Sequence, residues 1–353
     1  MNCVAVFYGR FSPVNSTHLS LTLSIRNIMK AKEFLFFLRK DDVPFAVRKS
    51  LLKKGIRDYG MPIKGFRFVD QDRKPLYLQI LELSEREHTK VCLFVGEDRY
   101  EELKKEEQFE KLSRLSHLIL LPNHDLHLYP EMDYLDIPAT DFDNNLLRNG
   151  QDLDTTREVL FEIGDEKLYF CHEISSMMKE SRYRHSVSVA KTAYAFANKS
   201  TDIQPKRAFQ AGIFHDCGKD LPVSTQKEIV EEHFREFLPC PEFAYHQFVS
   251  EYLAEEKFQI HDKEVLSSVM YHCTGKADMD VLEKIIYAAD KDEPTRQFET
   301  KKARNACYRD IDKGFVVTLK EQEEYFKKKN IPYMEHFLSK EMYHQYLGEE
   351  NNA

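Results

Sequence analysis

The chain reads as an open α/β domain followed by an all-helical bundle, and two changes of pattern together with its length predict this. From Val4 to about Ile137, short apolar runs alternate with amphipathic stretches, as in a parallel sheet with helices on its faces. Past Asp154 the runs disappear, and long segments of 3.6-residue period broken by Pro and Gly take over. The 353 residues exceed one ordinary core and suit two. The α/β domain is expected over residues 1–160 and the helical one over 165–345, with the boundary between Gly150 and Tyr169, after the polar turn residues of NNLLRNGQDLDTT.

The strands are read in order as CVAVFYG, EFLFFL, FRFVD, KVCLFVG and HLILLP, each a short continuous apolar run of the kind a buried strand needs. The helices of the second half include HSVSVAKTAYAFANK, PKRAFQAGIFHD, HQFVSEYLAEEKF and VLEKIIYAADKD. Hydrophobic residues at 42% and charged residues at 31% give a globular balance that can bury a core without staples. A net charge of -8 argues against a protein that coats nucleic acid. Seven cysteines without a CxxC pair suggest neither a disulfide framework nor a zinc knuckle, and fit a reducing cytoplasm. No window approaches the roughly 20 apolar residues of a membrane span, and no export signal is expected.

The dipeptide His215-Asp216 ends an apolar helix in AFQAGIFHDCGKD. Imidazole and carboxylate are both ligands for a divalent ion, and a buried carboxylate is costly unless it is hydrogen-bonded, ion-paired or coordinating. His185 opening a helix after SRYR, His246 in AYHQFVSEYLA, His272 in SVMYHCTG and Asp290 ending EKIIYAAD are each expected on otherwise apolar helices. One such histidine would be an ordinary core or capping residue. Six groups together point to a metal centre.

The order H, HD, H, H, D, with the flanking runs RYRHSVSVAKTA, FHDCGKDLP, YHCTGKADMDVLEKIIYAADKDEPTR and DIDKGF, resembles the HD superfamily. More closely, it is similar to the YqeK-type diadenosine tetraphosphate hydrolases over about residues 169–330. The resemblance implies that His185, His215, Asp216, His246, His272 and Asp290 are the ligands. It favours a di-iron centre, with manganese or zinc as alternatives. Read physically, His185, His215, Asp216 and Asp290 suffice for one ion, while His246 and His272 add imidazoles for a second, with Asp216 as the bridge. Two ions about 3.5 to 4 Å apart acidify a shared water and clamp the entering and leaving oxygens of a phosphoryl group. Lys219, one turn beyond His215, can reach a phosphate as a compact charge, and it is expected to be catalytic together with Asp216. Thr274, Gly275 and Arg296 are carried over as polyphosphate contacts on loops at the pocket mouth. Cys217 and Cys273 are read as packing residues, and His233 and His261 as surface residues.

In the first half, CVAVFYG runs into GRFSPVNSTHLSLTLSIRN, a turn and then a helix. Such a glycine lets a phosphate approach backbone N–H groups at a helix N-terminus, and an ordinary βα turn would read the same. Gly9, Arg10, Phe11, Pro13, Asn15 and His18 resemble the GxFxPxHxGH signature of the nucleotidyltransferase superfamily. Residues 1–165 as a whole look like a nicotinate mononucleotide adenylyltransferase of Rossmann-like fold. FVGEDRYEEL, with Gly96 and Asp98, resembles that family's strand-ending segment, and DIPATDFDNNLLRNG resembles its nucleotide loop, with Thr140 retained. The resemblance implies Mg²⁺ with ATP, nicotinate mononucleotide as co-substrate, and His18 as the catalytic imidazole. Three positions depart from it: Asn15 stands for the first signature His, Thr17 for the signature Gly, and Asp143 for the loop Arg. Each phosphate-binding donor is worth roughly 10² or more in rate. Asn15 can still donate a hydrogen bond, and Arg148 can stand in for the missing guanidinium.

Two functional readings follow. In one, the helical half cleaves dinucleoside polyphosphates, diadenosine tetraphosphate giving ADP symmetrically, and the first half is an adenylyltransferase of NAD biosynthesis. In the other, the hydrolase acts on another nucleotide and the first half is a non-catalytic nucleotide sensor or scaffold. Both expect nucleotide substrates, no nucleic acid and no membrane, and both allow a homodimer.

Overall fold

In the computed structural model, the described residues are 3–31, 33–71, 74–88, 90–122, 128–137, 143–296, 300–332 and 334–348. Backbone contacts divide the chain into two compact units: residues 1–148 with 154–160, and residues 149–153 with 161–353.

The first unit alternates strands and helices. In order these are β1 (Cys3–Gly9), α1 (Ser16–Met29), β2 (Glu33–Leu38), α2 (Phe45–Asp58), β3 (Phe66–Asp70) and α3 (Leu76–Glu87). There follow β4 (Lys90–Gly96), α4 (Glu97–Lys104), α5 (Phe109–Leu115), β5 (Ser116–Leu121), the two-residue β6 (Asp133–Tyr134) and α6 (Asn144–Arg148). All strand pairs are parallel, in the order β3-β2-β1-β4-β5-β6. The five apolar runs are the five long strands, and the central ones are buried nearly throughout, as helix-covered parallel strands must be. β6 carries no apolar run and was not legible. The strand order reverses between β1 and β4, the place where such sheets form a crevice at their carboxyl ends. Gly9 and Gly96 end those two neighbouring strands.

The helical unit comprises α7 (Arg157–Asp165, which begins in the first unit), α8 (Phe170–Ser176), α9 (Glu180–Ser200), α10 (Pro205–Phe214), α11 (Val223–His233) and α12 (Tyr245–Tyr252). It continues with α13 (Lys263–Met270), α14 (Val281–Asp292), α15 (Lys301–Cys307), α16 (Ile311–Lys329) and α17 (Phe337–Leu347). Local chemistry sets the starts: Pro205 at the first position of α10, Asp262 capping α13, and a reciprocal Asp280/Glu283 box capping α14. Gly212 lets α10 lie against α9, because a Cβ there would come within 2.6 Å of the Ala190 Cα. Among the described residues, no helix is long and apolar enough to cross a membrane.

Candidate functional site

The close approach of α9 and α10 brings His185 and His215 together, their ring centroids 5.3 Å apart. His215 caps the end of α10, where its Nδ1 donates to the Gly212 carbonyl at 2.7 Å. The other nitrogen, Nε2, is therefore left as a lone pair. It is buried without a hydrogen-bond partner among the described residues, 3.7 Å from both Asp216 Oδ2 and Asp290 Oδ1. A buried acceptor facing two carboxylates is unfavourable by itself, and a cation among them would satisfy all three.

The remaining groups complete the cluster. His272 Nδ1 donates to the Val269 carbonyl at 2.7 Å, and this turns Nε2 toward His246 Nε2 at 3.1 Å. Two imidazole nitrogens at that distance repel unless a proton or a metal ion lies between them. Each is 3.4 Å from Asp216 Oδ1. His185 Nε2 faces Asp290 Oδ1 at 2.9 Å, and its Nδ1 faces Glu293 Oε1 at 3.1 Å. Two ligand groups emerge, His185/His215/Asp290 and His215/Asp216/His272, with donor atoms in each within 4.8 Å of one another. His215 is the member common to both, whereas Asp216 turns one oxygen toward His215 and the other toward His246 and His272. Imidazole and carboxylate without thiolate is the donor chemistry of a first-row transition ion.

Electrostatics keep His215, His246, Asp216 and Asp290 in ligating form. Burial lowers the His215 pKa to about 3 and pulls His246 well below its ordinary value, so both stay neutral. Burial opposes charge on Asp216 and Asp290, yet neighbouring positive and polar groups hold both well below the usual carboxylate range. For Asp216 these are chiefly His215, His272 and Lys219; for Asp290, Lys291, Arg296 and His185. Burial also pulls His185 down, but hydrogen bonds to Asp290 and Glu293 outweigh it and raise the pKa. Four cations compensate the two acids. Arg182 Nη1 lies 3.2 Å from Asp216 Oδ2 and Lys219 Nζ 3.1 Å from both Asp216 oxygens, while Lys291 Nζ lies 2.6 Å from Asp290 Oδ2 and Arg296 Nη2 2.5 Å from Asp290 Oδ1.

Several local expectations are corrected. α9 begins at Glu180, so His185 sits in its second turn and does not open the helix. His272 lies in the turn after α13, which ends at Met270, and α14 runs two residues past Asp290. Thr274 and Gly275 are not at a pocket mouth. Thr274 is 1% exposed with its hydroxyl and N–H bonded to Gln247, and Gly275 packs against Met342. Arg296 does line the cavity beside the cluster. Cys217 is fully buried, and burial pushes its thiol up to about 12. Cys273 is half-buried at the cavity wall, with a thiol likewise raised by burial. His233 and His261 are exposed. Sequence reasoning missed Glu293, which is 1% exposed and holds His185, Ser188 and Thr295 at once. Its signal was an acid three residues beyond Asp290 in a run already singled out. It also missed Arg182, inside the quoted SRYR.

A cavity of about 670 Å³ opens beside the cluster, lined by Lys219, His246, Asp290, Lys291 and Arg296 on one part of its wall and by residues of α14, α16 and α17 on another.

In the first unit, the signature residues are engaged mostly with the chain itself. Asn15 is 2% exposed and caps α1. Its Oδ1 accepts from the His18 N–H at 2.7 Å, and His18 Nδ1 accepts from the Asn15 N–H at 3.2 Å. Nε2 of His18 is thereby left as the protonated nitrogen. Phe11 is core, not a ligand contact: it is 1% exposed, packed against Phe7, Phe36 and His18, with its ring 3.2 Å from where a Gly9 Cβ would stand. Arg10 is exposed. Arg148 reaches Ser12 Oγ at 2.9 Å and both Asp42 oxygens at 2.8 Å. Gly96 caps α4, and Asp98 is exposed in its first turn. Thr140 lies outside the described residues.

The HD domain model matches residues 182–295, which contain all six ligand candidates. The chain is 32% identical over 166 residues to the symmetrical bis(5'-nucleosyl)-tetraphosphatase of Bacillus subtilis, covering 45% of this chain and 87% of that protein. It is 31% identical over 158 residues to the protein of the same name from Halalkalibacterium halodurans, covering 44% and 84%. A Mycoplasma genitalium protein named "Probable nicotinate-nucleotide adenylyltransferase/Ap4A hydrolase" is 24% identical over 323 residues, 84% of this chain and 89% of that one. Identity near one third across almost nine-tenths of a protein is the mark of common descent, and the chain belongs to the family of HD-domain symmetrical bis(5'-nucleosyl)-tetraphosphatases.

Proposed function

We propose that the helical half hydrolyses dinucleoside polyphosphates, cleaving diadenosine tetraphosphate symmetrically to ADP, and that the α/β half is a nicotinate mononucleotide adenylyltransferase. The observation that carries the first activity is the orphaned Nε2 of His215, buried among three further imidazoles and two carboxylates beside a nucleotide-sized cavity. His185, His215, Asp216, His246, His272 and Asp290 would hold two divalent ions; their hard and borderline donors suit iron, manganese or zinc, and the family resemblance favours iron. When bound, such ions supply Lewis acidity toward phosphoryl oxygens and lower the pKa of a coordinated water.

The chain's own residues do the rest. Gly212 and Val269 carbonyls fix the tautomers of His215 and His272, and Glu293 orients His185, so little reorganisation remains when a ligand arrives. Lys219 is about one-third exposed on the cavity wall and can swing from Asp216 to a phosphate oxygen, while Arg296 offers a planar guanidinium on the same wall. In the α/β half, ATP with Mg²⁺ and nicotinate mononucleotide would bind at the crevice side of the sheet, where β1 and β4 end in glycine, with His18 Nε2–H as a donor to them. The -8 net charge speaks against nucleic acid as a partner, and seven unpaired cysteines favour the cytoplasm.

The test is product analysis. The full chain, loaded with iron or manganese, should convert diadenosine tetraphosphate to ADP alone; AMP plus ATP, or no product, would refute the hydrolase reading. Pyrophosphate release from ATP and nicotinate mononucleotide tests the transferase.

A further inference from the structure

The cavity beside the cluster has a second kind of wall, built largely on α14, α16 and α17. Tyr287 of α14 and Tyr343 of α17 are buried, and both donate their hydroxyls to Oε1 of Gln322 on α16, at 2.7 and 3.3 Å. Burial pushes the Tyr287 phenol well above its ordinary pKa, which keeps it a donor. An amide oxygen has two lone pairs, and here both are taken. With its oxygen turned to the two phenols, the half-buried Gln322 keeps its NH₂, a pure donor, for the cavity that it lines. Phe243, Tyr325 and Ile331 line the same cavity and stay 40% exposed or more, with the Tyr325 ring 6.0 Å from that of Phe326, and they give the cavity an apolar side. On this wall Glu321 and Glu324 outnumber Lys328, so phosphates belong instead with Lys219, Lys291 and Arg296.

We propose that this wall is the nucleobase subsite of the hydrolase, an inference that rests on the proposed dinucleotide cleavage. The base lies against the exposed aromatic and aliphatic side chains, and Gln322 Nε2 donates one hydrogen bond to a ring nitrogen or carbonyl acceptor on the base edge. Gln322 is thus a specificity-determining residue, and Tyr287 and Tyr343 are positioning residues that act through it.

The experiment uses the metal-loaded full chain and the variant Gln322→Met, which keeps the length and removes the donor. Gln322→Glu is the second variant, since it keeps an acceptor for both phenols. One hydrogen bond to a base is worth up to about tenfold in affinity. Both variants should bind ADP about tenfold more weakly by calorimetry and raise KM for diadenosine tetraphosphate by a similar factor, with kcat changed far less and metal content as in the wild type. Binding of inorganic tripolyphosphate, which has no base, should be the same in all three proteins. Equal ADP affinity in wild type and variants, an equal loss for tripolyphosphate, or a wild type that does not bind ADP would each overturn the subsite. A wild type that binds ADP but does not cleave diadenosine tetraphosphate would overturn the hydrolase reading alone.

Discussion

The two halves differ in what their motif residues are left free to do. In the helical half, the backbone takes one nitrogen of His215 and of His272 and thereby aims the other into a shared space, where His215 Nε2 finds no partner. In the α/β half, Asn15 and His18 close a capping box on each other, and Phe11 fills core. A motif read as chemistry is therefore strongest where folding leaves lone pairs unsatisfied, and weakest where the same side chains already satisfy the fold.

The sharpest test of that contrast is Asp216→Ala. Hydrolysis should fall by about 10³-fold or more, metal content should drop, and the far-ultraviolet circular dichroism should stay the same. A variant that keeps both metal and rate would break the comparison at its stronger end. Lys219→Met should cost about 10²-fold in kcat with metal retained, because it removes a charge aimed at phosphate and no ligand; loss of metal instead would make Lys219 a support for Asp216.

The weaker end is tested through stability. Burial lowers the His18 pKa from 6.5 to about 4. The unfolded chain takes up a proton near pH 6.5 that the folded chain refuses until about pH 4, so stability is full above 6.5 and declines as pH falls toward 4. His18→Gln should flatten thermal melting between pH 7 and 5 relative to the wild type, and an unchanged profile would place that imidazole in solvent. The smallest effect belongs to Asn15→Ala, which should cost about 1 kcal/mol in denaturant unfolding through the lost cap. No cost would mean that Asn15 is held for a ligand and not for the helix.

Much of this was legible in the chain. The five long strands stand as continuous apolar runs, and the six ligand candidates stand out because polar groups interrupt or end apolar helical runs. β6 escaped because two residues, Asp133 and Tyr134, carry no pattern. Thr274 and Gly275 were misplaced because sequence cannot tell a loop facing solvent from one packed under Gln247 and Met342. Glu293 and Arg182 were hidden by their ordinariness: a surface-like acid and base become site residues only once α9, α10 and α14 bring them to the same point.

The ring of Arg182, Lys219, Lys291 and Arg296 around Asp216 and Asp290, with Asp220 and Glu293 close by, is near electrical balance by itself. Loading divalent ions into it tips the balance to a positive excess that a chain of phosphates can neutralise. Because linkage is reciprocal, each metal ion should then tighten the grip on polyanions, and each polyanion should slow the escape of metal.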